Sequence, residues 1–106
     1  MHDSTFGAFD GPKDGINIVV KNEAWDAGIE HLLFHGEVCN RIPSPASFDL
    51  FDALVILDLQ PSRGQAKKNW HKEGGPHFPP GFHDWFIGKK KFRLTVWVPV
   101  PDGSLV

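Results

Sequence analysis

Three groups of residues in this chain are of the types that do chemistry, and their spacing limits what each can do. His31 and His35 stand four apart. On a helix that spacing puts both rings on one face, an arrangement used by pairs of metal ligands. His71, His77 and His83 recur every sixth residue within "NWHKEGGPHFPPGFHDWF" (69–86), which also holds Trp70 and Trp85. One loop histidine added to the helical pair makes three imidazoles, the protein's share of a catalytic zinc site, with Asp58 or Glu73 as base. Cys39 follows His35 closely enough to be activated by it as a nucleophile.

Each group also has a plainer explanation. Leu32 follows His31, where a zinc-peptidase helix carries its Glu. Glycines and prolines between the loop histidines interrupt any regular element, so their rhythm defines no common face. The segment 69–86 then reads as a stiff loop, with Phe78, Phe82, Trp85 and Phe86 buried and the histidines in water. Cys39 reads as a buried strand cysteine, and Asp58 as a strand end emerging before Pro61. The sequence has no G-x-S-x-G elbow, no phosphate loop, no dinucleotide fingerprint and no zinc-binding cysteine pair.

The elements that must position these residues are legible in part. "INIVVKN" predicts a strand by its β-branched content. Trp25, Ile29, Leu32 and Leu33 share a helical stripe, Asn22 suits an N-cap and Gly36 a stop, predicting a helix over about 23–35. "EVCNRI" predicts a short strand. "FDLFDA" could form a helical turn capped by Ser47, and from Ala53 onward "ALVILDLQ" reads as a strand, apolar on both faces. Ser62 and Gln65 at capping-box spacing predict a second short helix near 63–73. "FHDWFIG" and "KKKFRLTVWVPV" predict a closing hairpin turned by Gly88 and Lys89, with Arg93, Thr95 and Trp97 on one face of the last strand.

The expected fold is therefore α+β: an antiparallel sheet of four to five strands with the main helix packed on one face. The 106 residues suit a single globular domain, 1–106, with an irregular N-terminal arm over 1–15. Phe6 and Phe9 would pin that arm. One cysteine allows no internal disulfide and fits the reducing cytoplasm. The N-terminus shows no leader pattern, and the longest strictly apolar run, "ALVIL", predicts no membrane association.

Charge is uneven along the chain. Residues 1–60 hold three Lys or Arg against ten carboxylates, and residues 61–106 hold eight against three. The basic set is Arg63, Lys67, Lys68, Lys72, Lys89, Lys90, Lys91 and Arg93, interleaved with Trp70, Trp85 and Trp97. In a helix Arg63, Lys67 and His71 would align. Basic residues beside stacking rings describe a weak single-stranded nucleic-acid binder, although a pI near 6.3 argues against it.

No motif names a function. The leading expectation is a non-catalytic ligand-binding or protein-interaction domain. Its surface would use Trp70, His71, His77, His83, Trp85, Arg93 and Trp97 for a small molecule or protein partner. A homodimer through the sheet face or an edge belongs to the same reading, motivated by Trp97 on an otherwise polar strand face. The alternatives are a metal-dependent hydrolase built on His31, His35 and a loop histidine, and the nucleic-acid binder. No cofactor is expected except a divalent metal such as zinc under the hydrolase reading.

Overall fold

The computed structural model describes residues 14–72, 75–88 and 91–101. Most of the expected N-terminal arm, with Phe6 and Phe9, and also Glu73, Lys89 and Lys90 lie outside the described residues. In chain order the elements are β1 (Gly15–Lys21), α1 (Ala27–Phe34), β2 (Asn40–Pro43), α2 (Leu50–Ile56), α3 (Arg63–Asn69), β3 (Gly81–Ile87) and β4 (Phe92–Val98). The fold is α+β, with a four-stranded sheet in the order β2-β1-β4-β3. Two compact units emerge. Ser47–Pro79 carries α2 and α3; 14–46 and 80–101 carry the sheet and α1. No described helix is long and apolar enough to cross a membrane.

The sheet matches the expected strand count, and it is mixed. β3 and β4 form the expected antiparallel hairpin, while β1 runs parallel to both β2 and β4. The parallel pairing follows from topology. α1 lies between β1 and β2 in the chain and carries it back across the sheet before β2 begins. The register puts Ile16, Ile18, Leu94 and Val96 on one face, all buried. Asn17, Val19, Thr95 and Trp97 share the other face, with Phe82, Asp84 and Phe86 of β3.

α1 packs on this second face. Phe34 joins Val19 and Trp97 in a buried cluster, flanked by Trp25, Ile29, Leu33, Cys39 and Phe82. The helix is shorter than expected at both ends. Asp26, rather than Asn22, is the N-cap, its carboxylate accepting from Ile29 N at 3.0 Å. At the other end His35 is left-handed (φ 55), and Glu37 N donates to Phe34 O.

The Ser47–Pro79 unit corrects one expectation. Residues 50–56 are helical, where the sequence reading had a strand beginning at Ala53. Leu50, Phe51, Ala53 and Leu54 are the buried positions, a helical spacing. A capping box starts the helix: Asp49 accepts from Asp52 N at 3.0 Å, and Asp52 accepts from Asp49 N at 3.1 Å. A short apolar run fits strand or helix alike, and here the Asp-x-x-Asp cap decides. Asp58 follows the helix in a left-handed conformation (φ 61) and is exposed, so it does not end a strand.

α3 begins as expected, with Ser62 Oγ accepting from Gln65 N at 3.2 Å. Arg63 pairs with both Asp49 and Asp52, tying α3 to the start of α2. Burial alone would raise the Asp49 carboxyl, but the Asp52 backbone and the Arg63 guanidinium hold it below its ordinary value. The helix ends at Asn69 and Trp70 is extended, so His71 does not continue the Arg63–Lys67 face. The following loop is stapled by aromatic contacts. Trp70 meets Phe51 edge-on at 6.4 Å, and Phe78 meets Phe48 at 6.1 Å. Leu50 N donates to Pro76 O at 2.7 Å.

Candidate functional site

α1 leaves one end of its face of the sheet uncovered, and a hollow of about 290 Å³ opens there. Asp14, Gly15, Ile16, Asn17, Glu37, Phe86, Lys91 and Arg93 line it. Four features of the chain build it. Gly15 lets β1 run close to β4: a Cβ there would lie 3.1 Å from Arg93 Cβ and Arg93 O. Gly88 and Lys91, both at positive φ, turn the β3–β4 hairpin and bring Lys91 to the rim. The left-handed stop at His35 and Gly36 brings Glu37 down to Asn17. β3 places Phe86 on this face, 56% exposed.

The polar groups are held in place. Asp84 grips Arg93 with both oxygens, at 2.9 Å to Nε and 2.8 Å to Nη2, and also accepts from Thr95 Oγ1 at 3.1 Å. The Arg93 guanidinium and the Thr95 hydroxyl hold the Asp84 carboxyl below its ordinary value against the opposing effect of burial. Asn17 is only 7% exposed. Its Nδ2 donates to Glu37 Oε1 at 3.3 Å and to Val38 O at 3.0 Å, which fixes the orientation of the amide. Its Oδ1 takes no hydrogen bond from any described residue. The hollow thus combines an anchored cation, a second cation at the rim, two carboxylates, a buried amide acceptor and an aromatic wall.

A second polar cluster on the α1 face is structural. Glu30, 5% exposed, accepts from Trp25 Nε1 at 2.8 Å and from Arg41 Nε at 3.0 Å, and its other oxygen takes Arg41 Nη2. Burial would raise the Glu30 carboxyl, but Arg41 and the Trp25 indole together hold it below its ordinary value. Such a group stabilises the fold fully above its unfolded pKa, about 4.3, and loses that contribution as pH falls through its lower folded value. Glu30→Gln is therefore expected to cost about 1–2 kcal/mol in urea unfolding at pH 7. The gap from the unmodified protein should narrow under acid; a gap constant from neutral pH to well below the carboxylate range would contradict this assignment.

The residues expected to act together are divided between the two compact units. Trp70, His71 and His77 belong to the Ser47–Pro79 unit, with both histidines exposed. His83 and Trp85 stack on each other at 5.0 Å in β3, on the sheet face opposite Arg93, and His83 Nε2 lies 2.8 Å from Pro80 O. Trp97 is 2% exposed and forms part of the core, so it offers no surface to a partner. The strand face that was to carry Arg93, Thr95 and Trp97 together is covered by α1 at its Trp97 end and open only at Arg93. Among the basic residues, Arg63 and Arg93 are bound to carboxylates.

His31 and His35 are both exposed. Because the helix stops at Phe34, His35 does not extend the helical stack on which the i, i+4 expectation rested. Among the described residues, no group of three or more His, Cys, Asp or Glu side chains could hold a metal ion.

Cys39 is pushed up to about 11, first by burial and then by the negative charge of Glu30. It is held as a thiol, the opposite of what a nucleophile needs. Alkylation by iodoacetamide at pH 8 is expected to run at least about ten-fold slower than for a small free thiol, whose pKa is about 8.5. Reaction at the free-thiol rate would contradict the partly buried placement beside Glu30.

Of the residues that shape the hollow, the sequence reading singled out only Arg93 for binding. Asn17 carried a usable signal, as a polar residue between Ile16 and Ile18 in an apolar strand. Asp84 carried another once the hairpin register pairs it with Thr95. Glu37 and Phe86 carried none, because only the fold brings them together. No protein-family model, no curated protein and no solved structure matches the chain.

Proposed function

We propose that this chain is a non-catalytic ligand-binding domain whose site is the hollow around Asn17 and Arg93. The observation that carries the reading is Asn17. A buried carboxamide with both amide hydrogens engaged has an acceptor oxygen left over among the lining of a hollow. An amide held in one orientation by both its hydrogens offers a fixed acceptor to a ligand donor. The anchored Arg93 and the exposed Phe86 ring supply the few polar groups and the apolar wall typical of small-molecule sites. A volume of about 290 Å³ suits a small ligand. The raised Cys39 thiol supports a role without nucleophilic catalysis. A lone cysteine also supports work in a reducing compartment such as the cytoplasm.

The test is a fragment screen by saturation-transfer NMR against the unmodified protein and Phe86→Ser. Phe86 is exposed, so the substitution should leave the fold intact. Fragments that bind the unmodified protein and lose their signal with Phe86→Ser support the reading. A screen whose hits are all indifferent to the substitution, or which yields none, overturns it.

A further inference from the structure

Resting on that site, we infer that its ligand is a zwitterion: a free apolar α-amino acid, bound by its ammonium and carboxylate together. Charges of both signs line the hollow, as such a ligand requires. Arg93 spends Nε and Nη2 on Asp84, which leaves Nη1 unengaged among the described residues. With Lys91 it forms a cationic part suited to a carboxylate. Asn17 Oδ1 and the Glu37 and Asp14 carboxylates in the same lining supply acceptors suited to the three hydrogens of an ammonium.

A plain anion would meet Asp14 and Glu37, and a plain amine would meet Lys91 and Arg93. Either would pay a repulsion that a zwitterion avoids. Phe86 is an exposed aromatic wall of the hollow, and it provides for an apolar side chain. The small volume favours one residue over a peptide.

The test is titration calorimetry of the full chain with free L-leucine and L-phenylalanine, their N-acetyl forms, their amides, and the dipeptide Leu-Leu. Free amino acids should bind. Loss of either charge should weaken binding at least about ten-fold, as expected for removal of charge-assisted hydrogen bonds. The dipeptide should be similarly weakened. Lys91→Glu should weaken binding about three-fold or more with unchanged melting, since Lys91 is exposed and the variant reverses a charge at the rim.

If the N-acetyl form or the amide binds as tightly as the free amino acid, the zwitterion is wrong and the hollow is a simple anion or amine site. Equal affinity for the dipeptide assigns the ligand to a peptide terminus instead. If no amino acid binds while fragments still bind in a Phe86-dependent way, this inference fails and the proposed function survives. If nothing binds at Phe86, both fail.

Discussion

Trp97→Ala is expected to lower the stability of the protein by about 3–5 kcal/mol, the usual cost of removing a large buried aromatic side chain. The ring is 2% exposed and packs with Val19 and Phe34 beneath α1. Its Nε1 finds no acceptor among the described residues. The indole therefore contributes through volume and apolar area rather than through a hydrogen bond. Trp97→Phe, which keeps most of the packing and removes the orphan donor, should cost much less, about 1–2 kcal/mol. Urea unfolding followed by far-UV circular dichroism measures both. A Trp97→Ala protein as stable as the unmodified one would mean that the ring is a surface group, as its sequence context suggested.

Gly75→Ala is expected to cost about 2–4 kcal/mol, combining crowding with a left-handed backbone. Gly75 has φ +49, and a Cβ there would stand 2.9 Å from Phe51 Cε1 and from Trp70 Cδ1 and Nε1. Two rigid rings that already pack edge-on cannot both withdraw. The loss should appear as a lowered urea midpoint with an unchanged slope. Gly64→Ala, at a helical position with only Ser62 Oγ nearby at 3.8 Å, serves as the control and should be neutral or stabilising. Equal midpoints for the two variants would contradict the packing of Trp70 on Phe51.

These two residues also show how far the sequence could be read. Alternation in β4 set its two faces correctly, and β-branched content found β1. What alternation could not supply is which face the helix would cover. Trp97 beside Arg93 and Thr95 looked exposed because its strand neighbours are polar, yet burial depends on where α1 lands. The α2 misreading had another source. "ALVIL" has no period, so the decision lay in the side-chain cap of Asp49 and Asp52. Of the expected aromatic loop, Trp70 and Phe78 do pack, but 81–86 lie in β3 and Phe86 is exposed rather than buried. Its histidines are divided between the two compact units, 69–79 in one and 80–86 in the other. The hollow was nearly illegible. It joins β1, the segment after α1, and the β3–β4 hairpin, and only the parallel β1–β4 register puts Gly15 beside Arg93.

On the function proposed above, ligand recognition resides in the hollow of the sheet unit rather than in the histidine-rich loop. Chemical-shift mapping of ¹⁵N-labelled protein during titration with the strongest fragment hit tests this most directly. The predicted result is saturable shifts concentrated on Gly15, Asn17, Glu37, Phe86, Lys91 and Arg93, including the Asn17 side-chain amide. Shifts concentrated instead on Trp70, His71 and His77, with the Asn17 amide unmoved, would contradict it.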